Sequence, residues 1–303
     1  MNADDLFGSA DPALAKALAT PFGWPQSGLE PLPWFPFTVA SSRGQVHVAA
    51  RIAQRTERAY WYLRKLFHFA PRFRLLVLDR ADWPSYAEVA TYGMSHFTAA
   101  GNLVVGCEIA DAWHDIGREI ARRLPAATVA ALVNVHGADP VHAHAPDLSG
   151  VAERLVAHEL ARIAADEAGA HFPRHWMKNA FANYALVAVL GETDPAGLHR
   201  LGTLAEAARE LDSHRPHVVK FGAKLTPFEA ALVQLALTRT AYAVYAAKED
   251  APLARWFSLA RRHATTPITP DADRELGRML SREVHPAIGA LAASMHDDIA
   301  QAA

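Results

Sequence analysis

The chain reads as an α+β protein in which helix predominates, and three observations carry that reading. Two short runs, RFRLLVLD (72–79) and GNLVVG (101–106), are rich in branched aliphatics and lie in the first half. Each is shorter than an ordinary helix, the signature of a buried strand. From about Cys107 onward the apolar residues recur at three- and four-residue spacing, and strand-like alternation almost disappears. The expectation is a small sheet with at least one long helix, followed by a helical remainder.

Composition supports a globular chain. Of 303 residues, 51% are hydrophobic and 20% charged, unlike disordered or fibrous sequences. That length suits one large or two ordinary domains and buries a core without staples. Thirty Lys and Arg against thirty-two Asp and Glu give a net charge of −2, so no global basic field points to nucleic acid. The single cysteine, Cys107, excludes an intrachain disulfide framework and reads as a lone buried thiol. MNADDLFGSA lacks the basic start and apolar stretch of a secretory signal. The longest uncharged apolar run of helical character, 180–191, is too short to span a bilayer. A soluble cytoplasmic protein with neither nucleic-acid nor membrane partner is expected.

In chain order, residues 1–43 form an irregular segment. A short helix is expected at 12–19, followed by PFGWPQSGLEPLPWFPF, whose five prolines oppose helix and central strand. Trp24, Trp34, Phe35 and Phe37 are costly to leave in water, so this segment is expected to drape over the core. Residues 44–192 form an α+β domain. QVHVAA (45–50) reads as a strand end, and 51–69 as a helix with Tyr60, Leu63 and Leu66 on one stripe. Further helices are expected at 109–122, 126–135, 149–168, 174–190, 196–211, 226–247, 252–263, 271–283 and 285–300, with 193–303 forming a C-terminal helical region. Thr226-Pro227-Phe228-Glu229 is a helix start, a capping box with proline at the first helical position. Trp256, Phe257, Tyr242 and Tyr245 sit at helical spacing and read as core.

The chemistry lies in VAERLVAHELARIAADEAGAHFPRHWMKNAFANYALVAVL (151–190), where His158-Glu159 falls inside an amphipathic helix and a second helix begins near Pro173. In an H-E-x-x-H helix, two histidines one turn apart hold zinc from one face, and the glutamate is the general base. Here the fourth residue after His158 is Arg162. HELAR, then FPRHW, then NAFANY resembles the gluzincin (peptidase MA-like, zincin) metallopeptidases, in which HELxH precedes a proline, a tryptophan and an ELFAN- or EGFAEY-type helix. RFRLLVLDRADWPSYA and YGMSHFTAAGNLVVG also look like the strand, loop and edge strand before that family's metal helix, so the resemblance covers about 45–190.

The resemblance implies a zincin-like two-helix core behind a small sheet. On it, His158 matches the first zinc ligand and Glu159 the general base. Arg162 stands in place of the second histidine ligand and Asn179 in place of the glutamate ligand, with sixteen residues between them. Asn183 falls where some gluzincins place a group that orients the first histidine. A guanidinium has no lone pair to offer, and a neutral amide is a poor substitute for carboxylate on zinc. The pattern therefore implies a degenerate, catalytically silent relative without a cofactor, retained for binding or structure, with a peptide or protein segment as a candidate partner in the cleft. Zn²⁺ opposed by one ligand carboxylate leaves one net positive charge, and Arg162 with Asn179 leaves the same. Arg162 is accordingly expected in the vacated metal position, held by Glu159 and hydrogen-bonded to Asn179.

Two alternatives stand beside this reading. A rebuilt zinc site would combine His158 with two of His136, His142, His144, His171 and His175, keeping Glu159 as base of an active metallohydrolase. Alternatively, His158-Glu159 arises by chance, as about one such pair would among sixteen histidines, and the chain is a helical interaction protein. Tyr92, His96 and Asn102 surround the expected edge strand, where an extended peptide would pair. Gly93 and Gly101 there equally suit ordinary turns.

Overall fold

The computed structural model describes residues 28–214, 225–262 and 270–293. The expected helix at 12–19 and Trp24 lie outside them. The architecture is α+β and predominantly α, as the sequence predicts. Five strands form one sheet: β1 (Glu30–Leu32), β2 (Thr38–Ser41), β3 (Arg74–Leu78), β4 (His96–Phe97) and β5 (Asn102–Gly106), in the order β1-β2-β3-β5-β4. The three central strands run parallel, and the outer two pair antiparallel to them.

A parallel pair needs a long crossover, which α1 (Val46–Phe67) supplies between β2 and β3. The register sets Val39 beside Leu75 and Leu75 beside Leu103, and these face the main core. Ala40, Leu76, Leu78 and Val104 face the other way, onto Trp83 in the short helix α2 (Trp83–Tyr86). Both faces are covered, which is why β3 and β5 read as unbroken apolar runs.

Three sequence expectations are corrected in this region. Residues 30–41, expected to be irregular, contribute β1 and β2. Pro31 is tolerated because β1 is outermost. Phe37 anchors the segment by stacking on Phe73 at 4.6 Å between ring centroids. Trp34 departs from the expected drape: it has a φ of 83° and is 93% exposed. Residues 46–50, expected as a strand end, open α1 instead. Val46 faces outward at 41% exposure while Ala49, Ile52, Ala53 and Thr56 lie buried, so packing of the helical stripe overrides the β-branched propensity.

Beyond β5 come α3 (Asp111–Arg123), α4 (Ala126–His136), α5 (Ser149–Ala152), α6 (Leu155–Glu167), α7 (His175–Thr193) and α8 (Pro195–Ala207). A 3₁₀ segment, Ala208–His214, follows α8. Then come α9 (Pro227–Lys248), α10 (Ala251–Arg262), α11 (Pro270–Glu283) and helical residues 286–293. The single helix expected over 149–168 is broken between α5 and α6. There the Arg154 amide bonds back three residues to Val151, and the Ala157 amide to Arg154. The side chains at the break are tied down, Arg154 to Asp194 and Glu153 to Arg51 and Arg55. The capping box at Thr226 and Glu229 forms in full.

α7 is apolar nearly all round and buried accordingly. Phe181 is fully enclosed, with Phe67 at 5.6 Å, Phe172 at 5.1 Å and Trp256 at 5.9 Å between ring centroids. Trp256 and Phe257 are core as expected, but Tyr242 is 36% exposed. One continuous apolar core reaches from Leu32 to Ala292. Among the described residues, no helix is long and apolar enough to cross a membrane.

Candidate functional site

α7 packs against both α6 and α9. Beneath the loop that leads into β4, these helices enclose a cavity of about 190 Å³. Met94 and Ser95 come from that loop, His158 and Glu159 from α6, Asn183 from α7, and Gln234 and Thr238 from α9. The remaining lining is largely aliphatic, with Trp113 the aromatic exception.

The α6 helix turns His158 and Glu159 inward, at 5% and 7% exposure. His158 Nδ1 lies 2.9 Å from Glu159 Oε1. Arg162, one turn on, brings Nη1 to 3.2 Å from Oε1 and 3.1 Å from Oε2 of the same carboxylate. Burial alone would push the Glu159 carboxyl up. The hydrogen bond from His158 and the Arg162 guanidinium outweigh it and hold the group below the ordinary carboxylate range. A carboxylate so held is an acceptor, so Nδ1 is the donor of the His158–Glu159 bond.

Arg162 therefore meets Glu159 as expected but not Asn179, and it leaves His158 Nε2, the nitrogen a metal would claim, without a partner, so it does not fill the expected metal position. The Asn179 amide donates to the His175 carbonyl at 3.0 Å and accepts from Gln234 Nε2 at 3.1 Å. Asn183 does not orient His158 either. Its amide donates to the Asn179 carbonyl at 2.8 Å and to Gln234 Oε1 at 2.6 Å, and its Oδ1 accepts from Thr238 at 2.7 Å. Gln234 and Thr238, polar residues four apart on one helix, signal this only by that spacing.

These donors do not fit the zinc of the resembled family. Arg162 has no lone pair, the Asn179 oxygen is committed to Gln234, and both Glu159 oxygens are engaged. Nor do the other histidines gather around His158. Among the described residues, no three His, Cys, Asp or Glu side chains are grouped to hold a metal ion. His136 is buried at the end of α4, and His142 and His144 face one another at 6.3 Å between ring centroids. His171 is bonded through its backbone to Ala260, and His175 opens α7 near Arg162 and Lys178.

Around the sheet edge, Tyr92 donates to the Leu78 carbonyl, and His96 braces its own loop through the Met94 carbonyl and the Glu88 amide. Asn102 is 5% exposed. These residues hold the edge rather than line the cavity. Cys107 is buried and its thiol pushed up by that burial, the setting of an unreactive cysteine. The sequence reading missed His114 and Asp139, buried partners at 2.6 Å whose 25-residue separation leaves no local signal.

No family model matches the chain, and neither a curated protein nor a solved structure does.

The titratable groups set a two-stage loss of stability in acid. Burial pushes the His136 and His175 rings below their ordinary value of 6.5, helped by Arg200 at His136 and Arg162 at His175. Such rings take up protons in the unfolded chain before the folded one, so stability falls as pH drops through 6.5. Glu159, Asp139 and Asp194 are held low against their own burial by hydrogen bonds and neighbouring cations. Their contribution is complete above the unfolded values, 4.5 for Glu159 and 3.8 for the aspartates, and is lost below them. Urea midpoints measured from pH 8 to pH 3.5 should show both stages, and His136→Gln should flatten the upper one. A midpoint constant down to about pH 5 would contradict the histidine stage.

Proposed function

We propose that this protein is a zincin-like metallopeptidase relative that has lost metal catalysis and uses the cleft between α6, α7 and α9 for binding. The observation that carries the reading is the Arg162–Glu159 ion pair: on the resemblance Arg162 takes the sequence position of the second histidine ligand, and its guanidinium caps Glu159 without lining the cavity. A guanidinium there supplies the positive charge that a buried carboxylate requires and makes a dication unwelcome. It also disarms the base: a carboxylate bonded through both oxygens and held at low pKa is poorly matched to proton abstraction near neutrality. Further support comes from the small sheet with its antiparallel outer strand, whose approach lies over the same cavity as His158.

The test is the metal content of the untagged purified protein by mass spectrometry, with His158→Ala as control. Zinc well below one per chain, unchanged in the variant, is expected. Stoichiometric zinc that disappears with His158 would overturn the reading.

A further inference from the structure

The cavity presents one unanswered polar atom. His158 Nε2 is buried without a hydrogen-bond partner, and no other cavity-lining side chain has such an atom. The amides and hydroxyl beside it satisfy one another: Asn183 with Gln234 and Thr238, and Gln234 with Asn179. With Nδ1–H donating its hydrogen bond to Glu159, the tautomer that this contact selects presents Nε2 as an acceptor.

We propose that the cavity binds a small, uncharged, mainly apolar molecule bearing one hydroxyl, which donates to Nε2 of His158. This rests on the metal-free reading above, since a bound metal would claim the same nitrogen. The walls supply the apolar half of the match: Trp113, Ile116, Ile120, Leu186, Leu204 and Leu235 surround the space. Its volume of about 190 Å³ exceeds a cavity of roughly 150 Å³ that takes one benzene, so a ring with a short alkyl tail fits. Charged heads are disfavoured. Glu159, which lines the cavity, is already neutralised by Arg162, and Arg162 itself does not line it, so an anion would find no free cation and would face a carboxylate. A peptide strand is poorly served too, because β4 offers only the two residues His96–Phe97.

Para-propylphenol and its isomer para-ethylanisole separate the possibilities, because they match in size while only the phenol donates. Titration calorimetry on chelator-dialysed protein should show one propylphenol per chain, bound about tenfold more tightly than ethylanisole, the worth of one buried hydrogen bond. Leu235→Trp, which fills the cavity, should abolish propylphenol binding. Equal affinities, a preference for the ether, no saturable binding, or binding that survives Leu235→Trp would each overturn the proposal. The isomer comparison uses the unaltered chain, so it decides even if the variant fails to fold. Metal content on the same preparation separates the two readings. Stoichiometric zinc before dialysis refutes the metal-free site, whereas equal isomer affinities in zinc-free protein refute only the hydroxyl ligand.

Discussion

Arg162→Ala is expected to lower stability by about 3 kcal/mol, because it strands a buried carboxylate. Glu159 is 7% exposed and would be left with His158 Nδ1 as its one remaining partner among those described above. The figure sits at the lower end of the range for broken buried pairs because the Arg162 side chain is itself 31% exposed and already meets water. Urea unfolding at pH 7 measures it. The double variant Arg162→Ala with Glu159→Gln should recover most of the loss, since the stranded charge is gone. That recovery is the coupling expected of groups in direct contact. A single-variant loss below about 1 kcal/mol would mean that Arg162 is an ordinary solvated helix residue.

Placing the resembled family's ligands at these positions should give the second large effect. Residues 158 and 162 lie one turn apart on α6, and residue 179 lies on the facing α7. Arg162→His with Asn179→Glu removes the guanidinium from Glu159 and adds two ligands to His158, making up the three protein ligands of the resembled zinc site. Metal that binds only the folded state stabilises it by mass action, about 2.7 kcal/mol at a hundredfold excess over the dissociation constant. The melting temperature should then rise by roughly 5 °C with zinc, while the unaltered chain shows no such rise. A folded double variant indifferent to zinc would count against the correspondence of these positions. Peptidase activity is a separate matter, because two substitutions that supply metal ligands do not by themselves supply groups to stabilise a developing oxyanion.

What the sequence made legible follows from the range of the interactions involved. β3, β5 and the helices after Cys107 were readable because their burial imprints a short local period. β1 and β2 were not. Their prolines and aromatics argue locally for irregular chain. β2 gains its strand character from pairing with β3, more than thirty residues away, and β1 from pairing in turn with β2. The start of α1 was misread because Val46 and Val48 imitate alternation before Ala49 and Ile52 reveal the helical stripe. Within the site, His158, Glu159 and Arg162 were legible since one helix places them on one face. The partners of Asn183 were hidden: Gln234 and Thr238 stand 51 and 55 residues further on. The bond expected between Arg162 and Asn179 failed for that same reason, as a side chain from α9 had already claimed the Asn179 oxygen.

The short outer strands have a consequence for how copies of this chain behave together. The parallel centre of the sheet, RLLVL beside NLVVG, is the kind of unbroken apolar strand that templates aggregation when its flank lies open. Here the flanks are blunted. β1 is three residues long with Pro31 in its middle, and β4 is two. Neither gives an incoming chain enough backbone to dock in register. Among the described residues, the hollow therefore lies beside a sheet margin that offers a neighbouring chain little backbone to pair with.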